Sequence, residues 1–96
     1  MPDRNHPIHA EWIGLDDENE HLLEHGISFR EINQVFDNSP IYRRNLNKYK
    51  DRWLMIGRTK GNRAIVCSVE YDEVTRKVIP INARECTKQE KEKWRI

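Results

Sequence analysis

Three arginines occupy the predicted ends of neighbouring β-strands, and guanidinium groups gathered in one place suit the binding of an anion. Arg58 ends one predicted strand, Arg63 opens the next and Arg84 ends a third. Like charges held together repel one another unless something negative neutralises them. The cluster therefore predicts an anion site. The alternative is that the three are separate solvated charges at strand ends.

A predicted β-hairpin positions the first two arginines. Two runs rich in aliphatic, β-branched and aromatic residues, 52–58 and 64–71, flank a turn centred on Gly61. A third run, 77–82, follows a short charged turn, and the simplest fold of the region is an antiparallel meander. In such a meander the end of the first strand, the start of the second and the end of the third lie at one end of the sheet. Within the third run, Pro80 indicates an edge position or a bulge.

Helices are predicted on both sides of these strands. A first helix is expected over residues 16–25, a second over 29–37 and a last one over 88–94. The second and third open with capping boxes, formed by Ser28 with Glu31 and by Thr87 with Glu90. The expected fold is α+β, with two N-terminal helices, an antiparallel meander of three to four strands and a C-terminal helix. All of it forms a single domain over residues 1–96.

The expected core lies on one face of the meander. Alternation in the second strand gives this face a set of apolar or aromatic residues: Ile65, Cys67, Val69 and Tyr71. In the N-terminal segment, Ile8, Trp12 and Ile13 are expected to pack on the sheet as a cover. Residues 41–50 fit either a first strand at the sheet edge or a loop.

The charges divide the chain into an acidic front and a basic back. Residues 1–40 carry two basic and nine acidic side chains, whereas residues 41–96 carry fifteen basic and seven acidic ones. Basic and aromatic residues alternate just before the hairpin, a pattern that suits a chain of phosphates and stackable bases. The predicted RNA-binding residues are Arg43, Arg44, Lys48, Tyr49, Lys50 and Arg52.

Histidine offers a metal site or an acid–base group. The segment from His21 to His25 has the H-x-x-E-H spacing of inverted zinc peptidases. A chain this small has little room for a peptidase cleft, so a capping role or a general acid–base role for His25 is favoured. We expect no metal site and no cofactor.

Several classes of protein are excluded by what the sequence lacks. It contains no P-loop, Rossmann fingerprint, nucleophile elbow or zinc-finger spacing. No apolar run is long enough to span a membrane or to serve as a secretory signal, so the expected location is the cytoplasm. Cys67 and Cys86 lack CxxC spacing and are expected to be reduced thiols.

Catalysis, if present, must use Arg, Lys, His, Tyr and Glu, which are the groups of a metal-independent ribonuclease. Such an enzyme aligns the ribose 2′-hydroxyl against the neighbouring phosphate, removes its proton, stabilises the added negative charge and protonates the leaving oxygen. Arginine supplies the charge stabilisation.

Several short segments, taken in order and spacing, resemble the BrnT family of toxins over about residues 10–95. The matching segments are His25 to Glu31, Val35-Phe36, Arg52 to Arg58, Arg63, Ile81 to Thr87, and Glu90. The resemblance implies a RelE-like fold and a ribonuclease toxin of a bacterial type II toxin–antitoxin pair. It also implies a BrnA-like antitoxin with a ribbon-helix-helix DNA-binding domain as the partner, and RNA as the substrate.

The resemblance assigns candidate catalytic residues as well. Arg58, Arg63 and Arg84 match the basic strand-end positions of the family, and His25 matches its His-Gly pair. The acidic Glu24 just before His25 departs from the family pattern. The alternative reading is a non-catalytic module, or an inactive toxin, that uses the same basic face to bind nucleic acid or protein.

Overall fold

The computed structural model describes residues 6–14, 26–45 and 52–96. Within these ranges the chain forms a five-stranded sheet with strand order β1-β5-β4-β3-β2, together with two α-helices. The strands are β1 (Trp12–Ile13), β2 (Ile41–Arg44), β3 (Arg52–Arg58), β4 (Ala64–Asp72) and β5 (Lys77–Glu85), and the helices are α1 (Phe29–Asp37) and α2 (Lys88–Trp94). The predicted α+β class is confirmed.

The sheet is mixed, so the prediction of an antiparallel meander of three to four strands is wrong. Strands β2 to β5 pair antiparallel with their neighbours, but β1 pairs with β5 in parallel, with Trp12 opposite Lys77 and Ile13 opposite Val78. A strand of two residues is too short to show the alternation by which strands are recognised in a sequence.

The helix content also differs from the prediction of two N-terminal helices. In the described part of the chain, α1 is the one α-helix that precedes β2. The first predicted helix, over residues 16–25, lies outside the described residues.

The β3–β4 hairpin is confirmed and its turn brings the strand ends together. Arg58 pairs with Ala64 at the end of the ladder, and the Thr59 amide donates to the Arg63 carbonyl at 2.9 Å. Asn62 adopts the left-handed conformation, with φ of 67°, which asparagine tolerates better than most residues. The turn therefore projects beyond the end of the sheet.

The sheet buries both of its faces. One face packs against α1, and its cluster includes the predicted core residues Ile65, Cys67, Val69 and Tyr71. The other face carries Ile56, Ala64 and Val66 beneath Trp94 of α2. The α1 helix approaches β3 at Gly57, where an added Cβ would lie 3.2 Å from the Val35 side chain. A larger residue at this position would push α1 away from the sheet.

Both predicted capping boxes are confirmed. The Ser28 hydroxyl accepts a hydrogen bond from the Glu31 amide, and the Glu31 carboxylate accepts one from the Ser28 amide. Thr87 and Glu90 repeat the arrangement at the start of α2. These side chains satisfy amides that the first turn of a helix leaves without partners.

The prediction that the N-terminal segment packs on the sheet is confirmed for Ile13 and wrong for Ile8 and Trp12. Ile8 and Trp12 are 68% and 60% exposed, whereas Pro7 is buried and Ile13 packs against the α1-side core. Alternation along β1 turns Trp12 outwards because its neighbour Ile13 faces the core.

Other expectations have mixed outcomes. Residues 41–44 form the edge strand β2, and the ladder between β4 and β5 shifts register opposite Pro80, as the bulge interpretation predicted. Cys67 and Cys86 are free thiols, as expected. No described helix is long and apolar enough to cross a membrane.

Candidate functional site

The three arginines lie at one end of the sheet, called here the arginine end, but they occupy both faces of it. Arg58 lies opposite Ala64 and Arg84 opposite Val66, on the face that α2 covers. Arg63 precedes β4 by one residue, and alternation places its side chain on the α1 face. The sequence placed the three together, whereas the structure groups Arg58 with Arg84 and sets Arg63 apart.

Arg84 forms a two-pronged pair with Glu90 of α2. Its Nη1 and Nη2 donate to the two carboxylate oxygens of Glu90 at 2.5 and 2.8 Å, and Nη1 also donates to the Glu85 carbonyl at 3.2 Å. The same carboxylate accepts a hydrogen bond from the Thr87 amide at 2.9 Å. Arg84 therefore helps to fix the last helix. Its Nε and one N–H of Nη2 have no partner among the described residues.

The Arg84–Glu90 pair makes the free energy of unfolding depend on pH. Hydrogen bonds from the Arg84 guanidinium, with a smaller effect from the Thr87 amide, lower the pKa of Glu90 from 4.5 to about 2. Because the carboxyl is more acidic in the folded than in the unfolded chain, its contribution is complete above about pH 4.5 and is lost as pH falls towards 2.

We therefore expect Glu90→Gln to remove an acid-sensitive part of the stability. The wild type should exceed the variant by about 1 kcal/mol in free energy of unfolding above pH 5, since partial exposure screens the pair. The difference should shrink between pH 5 and pH 3. Urea unfolding of both proteins over this range measures it, and a difference that stays constant with pH would contradict the assignment.

Arg63 joins the start of α1 to the sheet. Its Nη1 donates to both oxygens of Glu31, at 3.1 and 3.0 Å, and to the Gly26 carbonyl at 3.2 Å, and its Nε donates to Glu85. The Ser28 amide and the Arg63 guanidinium together lower the pKa of Glu31. Two carboxylates, those of Glu31 and Glu85, neutralise the charge of Arg63, so this side chain holds protein groups in place and is a poor ligand for an anion although its Nη2 remains without a partner among the described residues.

Replacing Arg63 by alanine is expected to lower the melting temperature by several degrees. The change leaves the carboxylates of Glu31 and Glu85 and the Gly26 carbonyl without their shared donor. Thermal unfolding followed by circular dichroism measures the loss. The lysine variant should recover part of it by keeping the charge, whereas an alanine variant that melts like the wild type would show that Arg63 does not hold α1 to the sheet.

Arg58 is the least committed of the three arginines. Its Nη1 donates to the Asn62 carbonyl of the adjoining turn at 2.7 Å, and in the described part of the chain no carboxylate pairs with it. A guanidinium has five N–H donors, so four remain for a ligand. This side chain is half-buried at the arginine end.

Cys86 shows that Arg58 and Arg84 share one neighbourhood. Burial raises the pKa of the Cys86 thiol and the Glu90 carboxylate raises it further, while the positive charges of Arg84, Lys91 and Arg58 act to lower it. Both guanidinium groups thus act on one buried atom between β5 and α2.

The described members of the predicted RNA-binding set lie towards the other end of the sheet. Arg52 begins β3, and Arg43 and Arg44 end β2 opposite Leu54 and Trp53, so these residues lie about 13 to 20 Å along the strands from Arg58. The Arg44 guanidinium stacks on the Trp53 ring, 4.2 Å from its centroid. Lys48, Tyr49 and Lys50 lie outside the described residues. A nucleic acid that touches both ends must therefore run along the length of the sheet.

The histidines that were predicted to bind a metal or to act as acid or base lie outside the described residues. His25 and the whole H-x-x-E-H segment lie outside them, whereas the next residue, Gly26, is described and is held by Arg63. Across residues 6–14, 26–45 and 52–96, no three His, Cys, Asp or Glu side chains come close enough to hold a metal ion.

Two carboxylates have a role at the site that the sequence interpretation gave them only in part. Glu31 and Glu90 were predicted as capping residues. Each one both caps its helix and binds a guanidinium at the arginine end. For Glu90 the available signal was the order of the elements, because α2 follows β5 directly and so lies close in sequence to Arg84.

Comparison with known proteins identifies the family to which the sequence of this chain is similar. A family model described as the ribonuclease toxin BrnT of a type II toxin–antitoxin system matches residues 16–90. The matched segment contains α1, strands β2 to β5 and all three arginines of the arginine end. A search of curated proteins finds no match to this chain.

Proposed function

The chain belongs to the BrnT family of ribonuclease toxins of type II toxin–antitoxin systems, and on this premise we propose that it cleaves RNA at the arginine end of its sheet. Arg58 and Arg84 hold the scissile phosphate. The observation that carries the proposal is the position of Arg58: its guanidinium has no carboxylate partner among the described residues, and it lies at the same end and on the same face of the sheet as Arg84, with β4 between the two strands. Such a pair favours a ligand that carries negative charge.

The proposed reaction needs only side chains of the chain itself. The ribose 2′-oxygen bonds to phosphorus, the bond from phosphorus to the 5′-oxygen breaks, and the products end in a 2′,3′-cyclic phosphate and a 5′-hydroxyl. One proton leaves the 2′-hydroxyl and one reaches the 5′-oxygen. The phosphorus passes through a state with added negative charge, which arginine donors stabilise more than they stabilise the ground state. We expect cleavage to continue in excess EDTA.

Each candidate catalytic residue has a proposed role. Arg58 and Arg84 are phosphate ligands, Arg84 through the N–H groups that Glu90 leaves unused. Arg63 is a positioning residue that holds α1 and the Gly26 carbonyl. His25 is the proposed general acid or base, because imidazole changes its charge near neutral pH.

Arg43, Arg44, Lys48, Tyr49, Lys50 and Arg52 are proposed to bind the RNA strand away from the cut. Arg43 is exposed, its Nη1 donates to the Tyr42 carbonyl at 3.2 Å, and no described carboxylate pairs with it, so its charge can face a phosphate.

Arg43→Ala should weaken RNA binding by a similar factor for all RNA sequences, because the lost contact is to a phosphate. The slope of log affinity against log salt should fall by about one, the effect of one lost phosphate contact. Fluorescence anisotropy with a labelled oligonucleotide, at several salt concentrations, measures it. An unchanged slope would remove Arg43 from the RNA surface.

The proposed partner is a BrnA-like antitoxin with a ribbon-helix-helix domain. Family membership implies an antitoxin, and acidic side chains are the direct way to neutralise a site built from arginine. A neighbouring reading frame for a ribbon-helix-helix protein that copurifies with this chain would support the assignment. The action on RNA places the proposed site of action in the cytoplasm.

Induced expression tests the proposed function as a whole. Growth arrest that the co-expressed neighbouring protein relieves supports a ribonuclease toxin, provided that extracted RNA is cut. Normal growth with soluble, folded protein would instead favour the non-catalytic binding module.

A further inference from the structure

A polar groove lies between α1 and the β3–β4 turn, and it is called here the amide groove. Its lining comes from one face of α1 and its C-cap, Arg30, Asn33, Gln34, Asp37 and Asn38, and from the turn residues Thr59 and Lys60. Its volume is about 420 Å³, within the roughly 300–1,000 Å³ of small-molecule sites. Each lining residue carries a polar or charged group.

Two hydrogen bonds fix the walls of the groove relative to each other. The Lys60 amide donates to Gln34 Oε1 at 3.1 Å, and Asn38 Nδ2 donates to the Arg58 carbonyl at 3.2 Å. The second bond ties the groove to the backbone of the proposed phosphate ligand. The groove is thus preformed, and it begins at the residue that follows Arg58 along the chain.

These bonds leave a mixed set of donors and acceptors for a ligand. Gln34 keeps its amide N–H groups, Asn38 keeps its side-chain oxygen, and the exposed Asn33 side chain has no hydrogen-bond partner among the described residues. Paired amide donors and acceptors match the edges of nucleic-acid bases, and RNA-binding proteins read unpaired bases by such contacts.

The charged side chains that line the groove favour the binding of a single nucleotide over the binding of several neighbouring phosphates. Arg30 and Lys60 have no carboxylate partner in the described part of the chain. Asp37, the last residue of α1 before its C-cap, supplies the carboxylate of the groove. The two cations suit a phosphate, and a guanidinium plane also stacks on bases. A carboxylate such as Asp37 repels further phosphates but accepts hydrogen bonds from an amino group on a base.

We propose that the RNA strand passes over the arginine end from the Arg58–Arg84 face to the α1 face, and that the amide groove there binds one base of this strand and selects a base that carries an exocyclic amino group. This inference rests on the proposed function for its substrate. Cytosine, adenine and guanine carry an exocyclic amino group that can donate to Asp37, whereas uracil carries none and offers only its ring N3–H as a donor on the base edge. Asn33 and Gln34 contact the remaining base edge, and Arg30 or Lys60 contacts the adjoining phosphate.

Cleavage of a random-sequence RNA pool tests the proposal. The ends of the fragments made by the wild type should show uracil depleted, by about fivefold or more, at one fixed position relative to the cut. Asp37→Asn and Asn33→Ala should weaken this depletion. Glu73→Gln is the matched control, an acid-to-amide change in the exposed β4–β5 turn outside the groove, and it should keep the wild-type pattern. No depletion in the wild type, or the same depletion in both groove variants, would overturn the inference.

A binding measurement separates this inference from the proposed function. If the wild type cuts no RNA, the proposed function fails, and the groove is tested by titrating the protein with the four nucleoside monophosphates and with inorganic phosphate. The backbone amide resonances of Asn33 and Lys60 should shift with cytidine, adenosine and guanosine monophosphate more than with uridine monophosphate. Equal shifts with inorganic phosphate would reduce the groove to a simple anion site, and absent shifts would remove it as a site.

Discussion

Replacing Arg58 by alanine is expected to slow RNA cleavage by about 10²- to 10³-fold, the usual effect of removing one donor that stabilises a transition-state anion. Among the described residues the Arg58 guanidinium makes one hydrogen bond, from Nη1 to the Asn62 carbonyl, which leaves four of its five N–H groups for phosphate. Losing that bond should cost about 1 kcal/mol, which lowers the melting temperature by only about 4–8 °C. The purified variant should therefore be folded at assay temperature.

The lysine variant at the same position is the matched control. Arg58→Lys keeps the positive charge but offers a point charge in place of a planar fork. It should bind RNA more tightly than the alanine variant and still cleave it slowly. If the folded alanine variant cleaves at the wild-type rate, Arg58 is a solvated charge at a strand end and the proposed site is wrong.

The second large effect is expected at Arg84. Arg84→Ala should also slow cleavage by about 10²- to 10³-fold per folded molecule. It should lower the stability by up to about 1 kcal/mol as well, because the Arg84–Glu90 pair is partly exposed. Arg84→Lys should retain most of the binding and lose much of the rate, because lysine cannot hold a phosphate through two parallel hydrogen bonds.

A change at Glu90 distinguishes a phosphate-binding role of Arg84 from a purely structural role of the Arg84–Glu90 pair. Glu90→Gln removes the ion pair and keeps the arginine, so it should lower the stability as Arg84→Ala does but retain far more of the cleavage rate. Melting and cleavage are measured on the same preparations. If both variants lose cleavage equally, the pair acts only by fixing α2, and Arg84 is not a phosphate ligand.

Local signals explain what could be predicted from the sequence. The two capping boxes and the turn before Arg63 were recognisable because each depends on residues within a few positions of one another. The helical spacing of Ile32 and Val35, which are fully buried, likewise depends on one helix alone.

The differences arise where distant segments meet. The parallel pairing of β1 with β5 joins residues far apart in the chain, and no local pattern encodes it. The exposure of Trp12 follows from that pairing. The basic run that ends β2 was expected to extend the RNA surface, but the antiparallel direction of β3 carries Arg43 and Arg52 to the end opposite Arg58.

For a similar reason, the sequence could not predict that Arg58 and Arg84 lie on one face of the sheet and Arg63 on the other. Strand order correctly gave the shared end of the sheet, but the face depends on exact register. The turn from Thr59 to Arg63 places Arg58 and Arg63 on opposite faces, although they stand at the two sides of one hairpin. Which guanidinium groups are already bound by Glu31 or Glu90 depends on how each helix docks, so their availability for phosphate required the structure.

The most direct test of RNA cleavage at the arginine end is a comparison of purified wild type and Arg58→Ala on a defined RNA in excess EDTA, with the chemistry of the fragment ends determined. The account predicts that the wild type cuts and leaves 2′,3′-cyclic phosphate and 5′-hydroxyl ends, and that the folded alanine variant cuts at least about 100-fold more slowly. Fragments that end in a 3′-hydroxyl, cleavage that stops without divalent cations, or equal rates for the two proteins would contradict it.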